Sequence, residues 1–199
     1  MSKIESQQHY FEVPFKNVDL QDSTCLGTEF EECSFIDCNF SGTVFEQCNF
    51  INCSFTRCQL SLIGVPYTRF FGLNFIECKL VGVDWTRATW SAYHKDFEMR
   101  FSQSILNDSS FYGLTLQGLV LDECKVHDVD FREGDLAHAV MTYCDFTHSV
   151  FMRTNLQSAN FTESSNYSIN VLENPVQGAK FSKFEAVYLL ESLGIELVD

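Results

Sequence analysis

The sequence predicts a solenoid, a coil of short stacked turns, and a periodic pattern of apolar residues supports this prediction. Every fifth residue from Phe15 to Trp90 is apolar, and the same period resumes from Phe101 to Phe161. The period continues more faintly to Phe181, and sixteen of the 20 phenylalanines lie on it. A period of five fits neither an α-helix, which repeats every 3.6 residues, nor a strand, which repeats every two. It fits a coil in which each flat side takes one five-residue unit, because each turn of a short solenoid buries its apolar edge on the next.

A second pattern accompanies the first. We call the apolar residue on the period the centre of its unit. Two places before a centre the residue is usually small or a cysteine, and eight of the nine cysteines lie there. Two places after a centre lie seven of the ten glycines, where a chain that turns a corner favours them. These glycines are Gly27, Gly42, Gly72, Gly82, Gly113, Gly118 and Gly178.

Length and composition limit the class of protein. The chain has 199 residues, of which 45% are apolar, and 27 acidic against 13 basic residues give a formal net charge of −14. This length suits one domain with a sizeable core, and the apolar share excludes wholesale disorder. The negative charge excludes a conventional nucleic-acid binder, which needs a basic surface, and argues against docking on an anionic membrane.

The cysteines and the N-terminus predict a cytoplasmic protein with reduced thiols. The first eleven residues, MSKIESQQHYF, lack the apolar stretch of a signal peptide, and no window approaches the length of a membrane span. Thiols stay reduced in the cytosol. Nine is an odd number of cysteines and no CxxC pair occurs, so a disulfide framework or a zinc cluster is disfavoured.

The repeating units resemble those of the pentapeptide-repeat family, usually written A(D/N)LXX. Three examples are residues 38–42 (CNFSG), 83–87 (VDWTR) and 159–163 (ANFTE). The resemblance covers roughly residues 13–182 and leaves 1–12 as an N-terminal lead-in. It implies an all-β solenoid, a right-handed quadrilateral β-helix of pentapeptide repeats with four units in each square turn.

With four units per turn, residues about twenty apart should stack into columns. About eight turns at a spacing of about 4.8 Å predict a rod roughly 40 Å long. Two aromatic columns are expected, and stacked rings add about 0.5–1.5 kcal/mol per pair beyond the burial of their area. One holds Phe15, Phe35, Phe55 and Phe75; the other holds Phe30, Phe50, Phe70 and Trp90 and continues as Phe111, Phe131 and Phe151.

The period is interrupted once. Trp90 and Phe101 are eleven residues apart rather than ten, which predicts a one-residue slip within residues 91–100. One interpretation is a bulged corner of the coil. The other is a recognition element, since irregular segments on a rigid scaffold often carry binding. Under the second interpretation the secondary partner-binding residues are Tyr93, His94, Lys95, Asp96 and Phe97.

The C-terminal segment, residues 183–199, predicts a short α-helix followed by a short strand. The sequence from Ser182 to Glu185 has the form of a capping box, and Gly194 is expected to end the helix. A helix that only covers the end of a coil needs one apolar face, and this segment carries more. The surplus predicts a homodimer joined end to end. Its interface residues are Phe184, Val187, Tyr188, Leu190, Leu193, Ile195 and Leu197.

Residues that could support catalysis or metal binding are not arranged to do so. Cys124 and His127 have CxxH spacing, but the cysteine position faces the core while His127 faces water, so these ligands cannot converge on zinc. The five histidines are scattered, and no phosphate-binding glycine motif occurs. The sequence therefore predicts a protein that is not an enzyme, with no catalytic residue, metal or cofactor.

The outward positions carry the charge, and the acidic residues are unevenly spread. Residues 122–135 have a net charge of −4, and a second cluster lies within residues 29–37. One interpretation is a charged surface that keeps a phenylalanine-rich rod soluble. The other is a surface that imitates the charge of DNA and competes for a basic groove. The candidate partner-binding residues are Asp122, Glu123, Asp128, Asp130, Glu133 and Asp135.

Further stretches resemble the topoisomerase-protecting pentapeptide-repeat proteins, those of albicidin resistance more closely than those of plasmid-borne quinolone resistance. They are residues 60–63, 82–86, 106–114 and 193–197. The resemblance implies a DNA-mimicking homodimer that binds DNA gyrase or topoisomerase IV and protects it from a poison such as albicidin or a quinolone. Two alternatives stay open: a structural or scaffold protein with an unrelated protein partner, and an effector that binds host proteins.

Overall fold

The computed structural model describes residues 4–90, 98–196 and 198, and these form the predicted all-β solenoid. All strand pairs are parallel, and most join residues twenty apart in the chain. The strands are β1 (His9–Phe11), β2 (Pro14–Lys16), β3 (Thr24–Leu26), β4 (Glu29–Glu31), β5 (Ser34–Ile36), β6 (Val44–Glu46), β7 (Asn49–Ile51), β8 (Ser54–Thr56), β9 (Arg69–Phe71), β10 (Leu73–Ile76), β11 (Met99–Ser102), β12 (Val120–Asp122), β13 (Val140–Thr142), β14 (Val150–Phe151), β15 (Asn160–Phe161), β16 (Ser168–Ile169) and β17 (Lys180–Phe181). Two 3-10 helices, Trp85–Arg87 and Glu185–Leu193, complete the described elements.

Four ladders of paired residues make the four faces of the rod. The first face begins with β1, β4, β7 and β9, and the second holds β2, β5, β8, β10, β11, β12, β13, β15 and β17. The third face is a ladder of single bridges from Asp19 to Ser165, and the fourth begins with β3 and β6 and ends with β14 and β16. Nine strands on the second face span eight turns. The square turn of four five-residue units is therefore confirmed.

The residues at the corners of the square adopt the left-handed backbone conformation. Twenty-four described residues other than glycine have a positive φ, among them Leu62 at 58° and Tyr67 at 57°. Some corner glycines lie close to another side chain: an added Cβ at Gly42 would come within 2.2 Å of Asp22 Oδ1, whereas at Gly113 it would meet nothing within 4 Å. Since a β-carbon opposes this conformation, the stacking of the turns must hold it in place.

Aromatic stacks fill the core, and the columns before the interruption are those predicted. Phe35 and Phe55 stack with ring centroids 4.6 Å apart, and Phe30 and Phe50 with centroids 4.8 Å apart. The predicted continuation of the second column was wrong. Phe111 stacks on Trp85 rather than following Trp90, with centroids 5.9 Å apart and ring planes at 13°.

The register of the second face explains this correction. Leu73 pairs with Met99 and Phe75 with Phe101, so one turn takes 26 residues instead of twenty. Six residues are therefore inserted, not the single residue that the spacing predicted. A five-residue period cannot show how many whole units an insertion contains. Insertions of one residue and of six residues therefore leave the apolar positions in the same phase. The insertion falls within 91–100, and residues 91–97 lie outside the described part of the chain.

The small residue two places before each centre links consecutive turns by hydrogen bonds. Thr68, which is fully buried, accepts from the Cys48 amide at 3.1 Å and donates to the Phe45 carbonyl at 2.7 Å. Cysteines make the same contacts more weakly: Cys78 Sγ accepts from the Cys58 amide at 3.4 Å. All nine cysteines are buried and free, and burial raises the pKa of the Cys53 thiol to about 12. Cysteine thus serves here as a small buried side chain.

The last turn departs from the regular period. Phe151 pairs with Ile169, eighteen residues later, so the fourth face is reached two residues early. Asn174 then restores the phase, because its buried side chain accepts from the Thr154 amide at 2.8 Å and donates to the Phe151 carbonyl at 3.2 Å. By β17 the twenty-residue spacing has returned.

The C-terminal helix differs from the prediction in two ways. It is a 3-10 helix rather than an α-helix, and the predicted capping box is wrong. Ser182 Oγ accepts from the Glu163 amide at 2.7 Å, and the Glu185 carboxylate accepts from the Asn166 amide at 3.3 Å. The last coil turn therefore engages both side chains that would have capped the helix. Gly194 ends the helix as predicted, in the left-handed conformation with φ 73°. No helix in the described part of the chain has the length and apolar character needed to cross a membrane.

Candidate protein-binding surface

The six acidic residues predicted to bind a partner do not form one patch. Asp122 ends β12 on the second face, whereas Asp130 bridges to Val150 on the fourth face and Asp135 bridges to Asn155 on the first. Glu123, Asp128 and Glu133 occupy the left-handed corners between these faces. Together they encircle one turn, three rungs before β17. The structure thus brings them to the same level of the rod but points them in different directions.

Two arginines neutralise part of this acidic turn. Arg132 donates two hydrogen bonds to Asp130, at 2.9 and 2.7 Å, and this interaction holds the pKa of Asp130 below its usual value. The Arg153 guanidinium pairs with Glu133 one rung away. His148 lies 3.5 Å from Asp128. The two arginine pairs reduce the net negative charge on the fourth face and at the corner that follows it.

Neutral partners bind the other three carboxylates and leave their charge in place. Thr142 donates to Asp122 at 2.8 Å, and Gln103 donates to Glu123 at 2.9 Å. Asp135 receives the Asn155 amide at 2.8 Å and the Gln117 amide at 2.6 Å. Amide and hydroxyl donors orient a carboxylate without cancelling its charge. The net negative sites of this turn are therefore on the second face, its following corner and the first face.

A residue outside the predicted set has the strongest hydrogen-bond environment. Asp145 accepts from Asn166 Nδ2 at 2.8 Å, from the Thr147 hydroxyl at 2.7 Å and from His127 Nε2 at 2.7 Å. Although partial burial opposes ionisation, these hydrogen bonds hold the pKa of Asp145 well below its usual value. No sequence motif indicates this cluster, because His127 and Asn166 come from the turns on either side of Asp145. The contact also gives His127 a partner other than Cys124, whose thiol is buried.

The second acidic cluster lies near the N-terminal end of the rod. Glu29 and Glu31 are the outward residues of β4 on the first face, and Glu32 is the next corner. Asp37 is one corner further on and is paired with Arg57 at 2.7 Å, an interaction that lowers the pKa of Asp37. His9 of β1 stands directly beside Glu29. The cluster therefore covers part of the first face, the corner that follows it and the next corner along the chain.

The predicted bulge residues Tyr93, His94, Lys95, Asp96 and Phe97 lie outside the described residues. On the two sides of this gap the described coil reaches Trp90 and resumes by Met99, whose side chain is buried. The Trp90 indole donates to the Trp85 carbonyl at 2.8 Å, which fixes the point of departure. Ten residues separate Trp90 from Phe101, whereas four residues normally separate one centre from the next. The segment is therefore a longer insertion than a bulged corner.

The C-terminal helix places its apolar residues in two rows. Side chains three apart align in a 3-10 helix. The inward row includes Leu189, which packs against the core, and Ser192, whose hydroxyl accepts from the Val171 amide at 3.3 Å. The outward row exposes four of the predicted interface residues, and Tyr188 and Ile195 are also exposed; Leu197 lies outside the described residues. The outward row is Phe184, Val187, Leu190 and Leu193.

Comparison with known proteins places this chain in a family. A model described as pentapeptide repeat region matches residues 28–95 and 96–188. The chain belongs to the pentapeptide-repeat family. The boundary between the two matched blocks falls in the six-residue insertion, which agrees with the register of the faces. No curated protein matches the chain.

Solved structures of one resistance protein share the fold of this chain. A trypsin-treated form of QnrB1, a plasmid-mediated fluoroquinolone resistance protein, superposes with a TM-score of 0.72 at 16% identity, covering 96% of this chain and 100% of that one. A second trypsin-treated form gives 0.70 at 17% identity, covering 98% and 99%. Full-length QnrB1 gives 0.54 at 17% identity, covering 94% and 100%. At such identity the likeness concerns the fold, and a particular closeness to albicidin-resistance proteins is not among these matches.

Proposed function

We propose that this protein is a DNA mimic that binds DNA gyrase or topoisomerase IV and protects it from a poison such as albicidin or a quinolone. The observation that carries the proposal is the charge of a rod with flat, regular faces. Eight turns at about 4.8 Å give a rod of roughly 40 Å. With a net charge of −14 this is one negative charge per about 3 Å, against about 1.7 Å for duplex DNA.

The fold of QnrB1 supports this choice of partner. That protein is a plasmid-mediated fluoroquinolone resistance protein, and its coil covers nearly the whole of this chain. Fold alone does not determine function. The proposal therefore depends on the shared coil together with the strong negative charge. It assigns the protein a binding role rather than a catalytic one. The proposed location is the cytoplasm, where topoisomerases act.

The proposed contact surface is the acidic turn from Asp122 to Asp135. Its carboxylates without a cationic partner, Asp122, Glu123 and Asp135, face a partner on the second and first faces of the rod. The inserted segment, with Tyr93 to Phe97, is proposed as a secondary contact.

The rod is proposed to double by dimerisation through its C-terminus. The outward row of the C-terminal helix exposes 86% of Phe184 and 48% of Leu193, which is unusual for large apolar side chains on a protein that acts alone. A two-fold interface would bury this row against its own copy. The acidic turns of the two copies would then lie on both sides of the dimer centre.

Dimerisation is tested by light scattering. The substitution Leu190→Asp should convert a dimer to a monomer, since it places a charge in the buried row. Leu62→Asp is the matched control, because Leu62 is 68% exposed at a corner far from the helix. A monomeric mass for the unmodified protein at micromolar concentration would refute this part of the proposal.

The binding of gyrase is tested by a DNA supercoiling assay with and without albicidin or a fluoroquinolone. Protein at micromolar concentration should inhibit supercoiling or rescue it from the drug, and binding should weaken steeply as salt rises. The double variant Asp122→Asn with Glu123→Gln should lose most of the effect, because both carboxylates belong to the proposed contact surface. The control Glu12→Gln with Glu32→Gln removes the same charge at the other end of the rod. The alternative, a scaffold with an unrelated partner, is supported instead if the unmodified protein at micromolar concentration neither inhibits supercoiling nor rescues it from the drug.

A further inference from the structure

We propose a zinc-binding site on the first face of the coil, formed by His9, Glu29 and Glu31. The three side chains come from two adjacent strands, β1 and β4, whose register pairs His9 with Glu29. His9 Nε2 lies 3.4 Å from Glu29 Oε1 and 3.4 Å from Glu31 Oε2, and the three donor atoms all lie within 4.8 Å of one another. One imidazole and two carboxylates thus lie close together on the first face.

These distances match the ligand spacing around zinc. Ligands at about 2.0–2.2 Å from a tetrahedral ion are about 3.3–3.6 Å apart. The two measured separations of 3.4 Å fall in this range. Imidazole and carboxylate are both ordinary zinc ligands. Three protein ligands leave the fourth position to water, which the exposure of the cluster allows, since 54% of the His9 side chain is accessible.

A second contact orients one of the carboxylates for this role. Asn49, one turn further along the same face, donates from Nδ2 to Glu29 Oε2 at 3.0 Å. The other oxygen of the same carboxylate, Oε1, is the one that faces His9. Ligating carboxylates commonly have this arrangement, in which one oxygen binds the ion and the other accepts a hydrogen bond. Asn49 is therefore a positioning residue.

The location suggests what the ion would do. β1 is the edge strand of the first-face ladder, and among the described strands it pairs with β4 alone. A zinc ion held by His9 of β1 and two residues of β4 would cross-link the first turn to the second. Because a ligand that binds only the folded state stabilises it, zinc should protect this end of the coil from unfolding.

The sequence does not reveal the cluster, because His9 is twenty and twenty-two residues from its two partners. Only the twenty-residue register of the coil brings them together. The expectation of a protein without metal was drawn from cysteine spacings and scattered histidines, and this proposal replaces it.

Isothermal titration of the full chain with zinc chloride tests the site, with thermal unfolding as a second measurement. One zinc ion per chain should bind, and zinc should raise the melting temperature. His9→Ala and Glu31→Gln should each lower the affinity at least tenfold. Asn49→Ala should lower it about 10- to 100-fold while leaving the melting temperature without zinc nearly unchanged.

His148→Ala is the matched control, because His148 is an exposed histidine beside a single carboxylate, Asp128. This variant should bind zinc as the unmodified chain does. If zinc does not saturate the protein at millimolar concentration, the cluster is an ion-paired group and the proposal is wrong. It is equally wrong if His9→Ala binds zinc with unchanged affinity. Neither result bears on gyrase binding, which the supercoiling assay measures separately.

Discussion

Trp85 stacks on Phe111, 26 residues later in the chain, with ring centroids 5.9 Å apart. Phe75 and Phe101 stack across the same 26 residues, with centroids 4.8 Å apart. In the turns on either side the stacked partner is twenty residues away, as for Phe111 and Phe131 at 5.4 Å. The coil thus closes across an insertion of six residues without losing its aromatic column. Because the register is regular on both sides of the insertion, we expect the inserted residues to be separable from the fold.

Deleting residues 92–97 should therefore leave the fold intact. The deletion puts Glu98 at the corner and Met99 two places before the next centre, Phe101, which restores an ordinary unit. We expect a far-ultraviolet circular dichroism spectrum and a cooperative melting transition like those of the full chain. A six-residue deletion from the regular coil, residues 123–128, should abolish folding because it moves apolar centres out of their positions. Loss of structure on deleting 92–97 would contradict the register.

Phe131→Ala should lower the free energy of unfolding by about 3–5 kcal/mol, since it leaves a ring-sized cavity in the core. Phe131 is fully buried between Phe111 and Phe151, with centroids 5.4 and 5.1 Å away. Urea denaturation followed by fluorescence measures the change. As a comparison, Tyr67→Ala removes a ring that is 67% exposed and should change stability by less than about 0.5 kcal/mol. Equal effects of the two substitutions would show that the stack does not stabilise the coil.

Thr68→Val should lower the free energy of unfolding by about 1–3 kcal/mol despite the nearly identical shape of the side chain. Valine leaves the Cys48 amide and the Phe45 carbonyl buried without the partner that Thr68 provides. Thr68→Ser keeps the hydroxyl and should recover most of the hydrogen-bond contribution. If valine and serine are equally tolerated in urea denaturation, the bonds between turns contribute little.

Asp145 should make stability fall in acid. Its pKa in the folded protein is held below the unfolded value of about 3.9, so its contribution is fully present above that pH and is lost as pH falls through the folded pKa. We expect Asp145→Asn to be less stable than the unmodified chain at neutral pH, with a difference that shrinks below about pH 4. Urea denaturation at several pH values measures this. A difference that grows in acid would have the wrong sign.

The sequence by itself determined the repeating unit and what it buries. Phe and Cys recur because one fills the large and the other the small inward position, and this pattern is local enough to read along the chain. The resemblance to a known family also predicted the four-sided coil. The glycine at position 194 predicted where the C-terminal helix ends. What it could not determine was any relation that depends on how many whole units separate two residues.

The tertiary structure decided those relations. A period of five cannot distinguish one inserted residue from six, so only the pairing of Leu73 with Met99 revealed the insertion. The capping box at Ser182 failed because the last turn engages its side chains, a contact between residues nineteen apart. In the same way the acidic residues of one segment are distributed around the rod, while His9 and Glu29 meet across a turn. Adjacency on this coil is set by the register between turns, which stacking fixes and sequence distance does not express.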